Sequence, residues 1–236
     1  MCGRFTLVSS ADELAEFFKG FVFPTDLLPR YNIAPTQSVP VALNDGTAEA
    51  KDLRWGLVPY WAKDVKIGSR MINARSETLV DKPSFRESYR KRRCLVFADS
   101  FYEWKRLSEK EKQPMRVQMK SEAPFAMAGL WDTWKTPEGD RLSTFTVITT
   151  APNGLMAPIH NRMPVILAED SYDTWLRSDD DVPDAALQAL LAPYPEEEME
   201  AYPVSRAVNN VRNDGPECIQ PAKADTGKPG EQPELF

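Results

Sequence analysis

The 236-residue sequence predicts an α+β domain built on an antiparallel, partly closed β-sheet or barrel-like core, with helices at its periphery. Three observations lead there. The middle of the chain is crowded with short runs of β-branched and aromatic residues at period two, separated by Pro, Gly or charged clusters. Helical signals are few and isolated. Strands and helices do not alternate in the regular way that a doubly wound parallel sheet requires.

Taken along the chain, Ser10 and Glu13 form a capping box that starts a helix through "ELAEFFKG". "VPVAL" (39–43) is the first clear strand. "PSFRESYRKRR" opens with a proline suited to a first helical turn, and its basic end "RKRR" (90–93) suits a helix C-terminus. Strands follow at "RCLVFA" (93–98), "PMRVQM" (114–119), "FAMAGLW" (125–131) and "STFTVITT" (143–150), and a last helix begins at the proline of "PDAALQALLA". From Gly215 onward Pro, Gly, Lys, Asp and Glu dominate. The expectation is one domain over 2–214 and a disordered tail over 215–236.

A composition of 42% hydrophobic residues suffices for one sizeable core. No run of eighteen apolar residues occurs, and the N-terminus lacks both the basic region and the apolar stretch of a signal peptide. A cytoplasmic protein with no membrane partner is therefore expected. Cys2, Cys94 and Cys218 are odd in number and far apart, and no Cys/His cluster has metal-ligand spacing, so neither a disulfide nor a metal or other cofactor is expected. The net charge of −6 hides an uneven distribution. Residues 169–200 carry eleven acidic side chains and one basic one, whereas residues 1–168 carry 24 Lys and Arg against 19 Asp and Glu. A basic body of this kind is compatible with a nucleic-acid partner but argues against indiscriminate binding.

The polar residues best suited to chemistry sit at breaks between apolar runs. Cys2 stands directly behind Met1 in "MCGRF". Removal of Met1 leaves an α-amine, titrating at about 7.7–8.0, beside a thiol that titrates at about 8.5. The alternative is an ordinary N-terminus. In "INARSET" (72–78) Asn73, Arg75, Ser76 and Glu77 follow an apolar pair, at what a connection would make the rim of a sheet. In "SFYEWK" (100–105) Glu103 points, on a strand, to the face opposite Tyr102 and Trp104. It reads either as a desolvated acid–base group or as a solvent-facing residue of an edge strand. His160 in "IHNRMP" (159–164) is the one histidine, stiffened by Pro158 and Pro164. Any imidazole chemistry must use it, although a histidine satisfied within a loop is the plainer reading.

"MCGRF", "RYNIAPTQ" (30–37), "LRWGLVPYWAKD" (53–64), "INARSET", "SFYEWK" and "IHNRMP" together resemble, in order and spacing, the SOS response-associated peptidase (SRAP) family, over about residues 2–210. The resemblance implies recognition of abasic sites in single-stranded DNA and covalent capture through the N-terminal cysteine, with Asn73, Glu103 and His160 as supporting active-site residues. It implies DNA contacts from Arg4, Arg75, Ser76 and Arg162, and a space-filling role for Pro35 near the lesion. Trp61, with Trp55 and Trp104, fits either base stacking or core packing.

A terminal Cys is a 1,2-aminothiol. Its amine can form an imine with the ring-opened sugar aldehyde, and its thiol can then close a five-membered thiazolidine. An imine at C1′ also permits β-elimination of the 3′ phosphate, a weak lyase activity. Two other classes remain open: an N-terminal-nucleophile thiol peptidase that processes its own N-terminus, and a non-covalent single-strand binder. The terminal "QPELF" (Gln232–Phe236) resembles the pentapeptide with which bacterial proteins dock on the replication sliding clamp, which would place the protein at damaged forks on the nucleoid.

Overall fold

The computed structural model describes residues 2–177 and 183–222. Within them the strands are β1 (Phe5–Leu7), β2 (Arg30–Ile33), β3 (Ser38–Leu43), β4 (Ala50–Trp55), β5 (Asn73–Arg75), β6 (Arg93–Ala98) and β7 (Ser100–Arg106). They continue with β8 (Lys112–Met119), β9 (Phe125–Lys135), β10 (Arg141–Thr150), β11 (Met163–Pro164), β12 (Ile166–Leu167) and β13 (Met199–Pro203). The helices are α1 (Ala11–Phe17), α2 (Pro83–Lys91), α3 (Tyr172–Leu176) and α4 (Asp184–Ala189). No helix among the described residues is long and apolar enough to cross a membrane.

Most pairings are antiparallel, as the short period-two runs predict. Strands β10, β4, β3, β6 and β9 are joined in that order, and β9 pairs back onto β10, so the ring of five is closed. Closure depends on a parallel pairing of β10 with β4, Thr144 opposite Arg54 and Phe145 opposite Trp55, and β10 carries β5 beside it, also parallel. A second sheet runs β13-β8-β7-β1-β2. Inside the ring Trp55 is fully buried, its ring parallel to Phe145 with centroids 6.2 Å apart. Phe5 of the second sheet meets the same indole at 5.1 Å, so the two sheets share one core. Trp55 is thus a core residue, and base stacking is ruled out for it.

The helices begin where their capping residues place them. Ser10 Oγ accepts from the Glu13 amide while Glu13 Oε2 accepts from the Ser10 amide, the reciprocal pair of a capping box ahead of α1. Pro83 opens α2, which buries Phe85, Ser88 and Tyr89 on one face. Past its basic end, Arg93 turns inward. Its guanidinium donates to the carbonyls of Tyr89, Arg90, Trp175 and Arg177 and lies over the Trp175 ring. The cluster "RKRR" therefore ends a helix and anchors α3. The helix expected in "PDAALQALLA" is shorter than its apolar run, ending at Ala189.

The expected domain boundary at 214/215 needs correction. Residues 216–218 form a 3₁₀ turn, Cys218 is buried against Tyr102, Val204 and Val208, and Pro221 bridges to Val204. Composition misread this stretch because Cys218 and Ile219 pack into a small satellite cluster between sheet and turn. Gln232–Phe236, with the clamp-docking expectation, lies outside the described residues.

Candidate active site at the seam of the two sheets

Cys2 is placed by the strand that follows it. β1 pairs with β7 so that Phe5 faces Phe101 and Thr6 faces Ser100, and the Tyr102 amide donates to the Arg4 carbonyl. β1 begins at Phe5, so the ladder does not extend to Cys2; the Cys2 side chain instead joins the main core with Phe5 and Leu7, close enough to the Glu103 carboxylate to feel its charge. The Cys2 side chain is buried. Burial, and after it the Glu103 carboxylate, push its thiol up to about 12, against a hydrogen bond from the Arg4 amide.

Glu103 is 3% exposed, which removes the solvent-facing alternative. Alternation along β7 sends Tyr102 into the satellite cluster and leaves Glu103 on the opposite face, toward the barrel. There its Oε1 lies 3.9 Å from Nδ1 of His160. His160 comes from the other sheet's territory, the connection between β10 and β11. Asn153 Oδ1 caps the Met156 amide, and the Met156 carbonyl accepts from the amides of Ile159 and His160, folding the connection into a stiff turn.

Asn73 opens β5, in register with Val147 of β10. Alternation puts Ala74 in the core and turns Asn73 and Arg75 away from it. Both polar atoms of the Asn73 amide are buried and without a hydrogen-bond partner among the described residues. Leaving such a group unpaired costs about 1–3 kcal/mol, which a ligand bonding to it would recover.

The expected DNA-contact residues divide. Arg75 is exposed, Ser76 begins the 3₁₀ turn Ser76–Thr78, and Pro35 is half-buried. Trp61 is 47% exposed and its neighbour Tyr60 is 61% exposed. Rigid anchors hold this aromatic pair out. Asp132 accepts from the Tyr60 amide, Thr144 Oγ1 from the Val58 amide, and the Ala62 carbonyl accepts from the Trp134 indole. Gly56 and Gly68 touch so closely that a Cβ on Gly56 would sit 2.7 Å from the Gly68 oxygen, and φ at Gly56 is +116°. Beside Trp61 opens a cleft of about 530 Å³ edged by Lys63, Lys66 and Arg70, all exposed.

The guanidinium groups of Arg4 and Arg162, expected at phosphates, make hydrogen bonds to other residues of the protein. Arg4 donates to Asn32 Oδ1 at 2.6 Å and to the Val208 carbonyl at 2.7 Å, over the Trp104 ring. Asn32 in turn donates to the carbonyls of Val208, Asn210 and Asn213. Arg4 therefore braces the strand that carries Cys2 against the C-terminal segment. Trp104, half-buried, bonds Asn209 Oδ1 through its indole nitrogen. Arg162 forms a two-point ion pair with Glu77, at 2.5 and 2.9 Å, and also donates to the Thr149 carbonyl. Sequence reasoning grouped Glu77 with its neighbours at the break but gave it no role, since its partner lies 85 residues away.

Residues 1–211 match the family described as SOS response associated peptidase (SRAP). The chain is 52% identical over 223 residues to the abasic site processing protein YoqW of Bacillus subtilis (strain 168), covering 93% of this chain and 99% of that one. It is 34% identical over 238 residues to the abasic site processing protein HMCES of Rattus norvegicus, covering 84% of this chain and 67% of that one. A crystal structure of a protein from Bacteroides thetaiotaomicron shares the fold with a TM-score of 0.85 at 29% identity, covering 94% of this chain and 100% of that one. On sequence and fold together, the chain belongs to the SRAP family.

Proposed function

We propose that the protein processes abasic sites in single-stranded DNA, capturing the open-chain sugar aldehyde on Cys2 as a thiazolidine. The observation that supports this reading is the burial of Cys2 in the core within electrostatic reach of the buried Glu103 carboxylate. The names of its relatives YoqW and HMCES supply the lesion.

The steps follow from the groups present. With Met1 removed, the neutral Cys2 amine attacks C1′, and the carbonyl oxygen takes up a proton. The carbinolamine loses water to give an imine. Sγ then adds to the imine carbon, and the thiol proton passes to the ring nitrogen, so the net product is one thiazolidine and one water. A thiol adding to the aldehyde alone gives only a reversible hemithioacetal, so the productive order is imine formation by the amine and then closure by the thiol. Glu103 is the group placed to move protons in sugar ring-opening, imine formation and thiol addition. His160 serves the sugar hydroxyl or the imine, and Asn73 holds the amine by hydrogen bonds, since an amide both donates and accepts. The same imine gives access to a slow β-elimination.

The test is a denaturing gel of protein with a native start mixed with abasic single-stranded DNA. A covalent band is expected, and it should vanish when the sugar aldehyde is first reduced to the alcohol. A band that survives that reduction overturns the reading.

DNA flanking the lesion is assigned to the cleft beside Trp61, where bases can stack on Tyr60 and Trp61 and phosphates can pair with Lys63, Lys66 and Arg70. The double change K63E/K66E should weaken binding of unmodified single-stranded DNA. It should also reduce the slope of log K against log salt by about 1.4, at about 0.7 per phosphate contact. Fluorescence anisotropy at several salt concentrations measures both.

A further inference from the structure

Glu77 lies outside the constellation of Cys2, Asn73, Glu103 and His160, yet it is tied to His160 through one residue. We infer that Glu77 is a positioning residue: by clasping Arg162 it holds His160 in one tautomer and one ring orientation. The inference rests on the assignment of His160 to proton transfer in the capture reaction.

The geometry runs in three links. Glu77 stands in the turn directly after β5, the strand that carries Asn73. Its two oxygens take Nη1 and Nη2 of Arg162, and Nη2 also donates to the Thr149 carbonyl at the end of β10. The Arg162 side chain is 14% exposed, so this ion pair is shielded on one side and planar on both. The last link is in the main chain. The Arg162 amide points at Nδ1 of His160, 3.1 Å away.

A backbone N–H can only donate, so a ring nitrogen facing it must present its lone pair. The neutral His160 ring then carries its proton on Nε2. When the ring gains a second proton, the Arg162 carbonyl, 3.3 Å from Nδ1, is the acceptor that can take it, alongside the Glu103 carboxylate at 3.9 Å. In either state the ring reads the position of the Arg162 backbone. That position is fixed by a side chain clamped to Glu77 and Thr149, which also ties the His160 connection to the strand of Asn73. The hydrogen bond from Arg162 holds the Glu77 carboxyl below its ordinary range, so the clasp persists at neutral pH.

Two measurements test the clasp. Because His160 is the sole histidine, its ring nitrogens are unambiguous in long-range 1H–15N spectra of untagged protein. At a pH where the ring is neutral, wild type should show the Nε2–H form, and Glu77→Ala should show a mixture of tautomers; Glu77→Asp should restore much of the single form. In kinetics, Glu77→Ala should lower the rate of adduct formation at saturating abasic DNA by about tenfold and leave the half-saturating DNA concentration unchanged. In a His160→Ala background the same change should cost nothing further.

An unaltered tautomer in Glu77→Ala, an Nδ1–H form in wild type, or an equal loss in both backgrounds overturns the inference. So does an effect confined to the half-saturating concentration, which would make Arg162 a DNA ligand restrained by Glu77. The spectra need no DNA, so a failed clasp and a failed capture reaction are told apart.

Discussion

Protein that retains any residue ahead of Cys2 is expected to give no heat-stable adduct with abasic single-stranded DNA in the absence of a reductant. An amide nitrogen has its lone pair in resonance with the carbonyl and cannot form an imine. A thiol acting alone can give only a reversible hemithioacetal. Cys2→Ser separates the two nucleophiles. Its amine still forms the imine, so borohydride should trap a covalent product, while the band that survives heating without reductant should disappear.

The size of these effects comes from the second step. An intramolecular closure benefits from an effective molarity of about 10⁵–10⁸ M, so losing the thiol removes the step that makes the product durable. Intact-mass analysis completes the test. The native-start protein should lack Met1 and gain the mass of the oligonucleotide minus one water. A Met1-retaining protein that gives a heat-stable crosslink without reductant would defeat the proposed chemistry.

The difference between what was readable in the sequence and what was not follows from which interactions are local. The strands at 93–98 and 143–150 and the capping box at Ser10 announce themselves because β-branched runs and cap residues act within a few positions. β1, β5, β11 and β12 are two or three residues long, too short for any periodicity, yet β1 and β5 carry Cys2 and Asn73 into the site. Ring closure through the parallel β4–β10 pair is a non-local event with no sequence signal of its own.

Charge was readable as composition but not as placement. Arg93, Arg4 and Arg162 look alike in the sequence, and each satisfies carbonyl or carboxylate oxygens contributed from distant segments, Arg93 in the interior and Arg162 at the surface with Glu77. By contrast Lys63, Lys66 and Arg70 remain outside on an anchored projection. An arginine with five donors is the side chain best able to tie such segments together, so a basic residue beside a catalytic motif is as apt to brace it as to bind phosphate.

Glu103→Gln is expected to slow formation of the adduct by about 10²–10⁴-fold, the range associated with losing one general acid–base group. The replacing amide is nearly isosteric with the carboxylate and can still donate and accept a hydrogen bond, so the fold and the binding of unmodified single-stranded DNA should change little. The variant also separates two effects of the carboxylate that point in opposite directions. Burial is the larger cause of the raised Cys2 thiol and remains in E103Q, but the smaller, electrostatic cause is removed. The thiol pKa should therefore fall, the thiolate fraction at pH 8 should rise, and alkylation of Cys2 by iodoacetamide should become faster, as mass spectrometry of the labelled peptide can show. If Glu103 acted only by suppressing the thiolate, adduct formation would accelerate along with alkylation. Slower capture together with faster alkylation is the pattern that identifies the carboxylate as the group moving protons, and parallel acceleration of both would exclude it from that role.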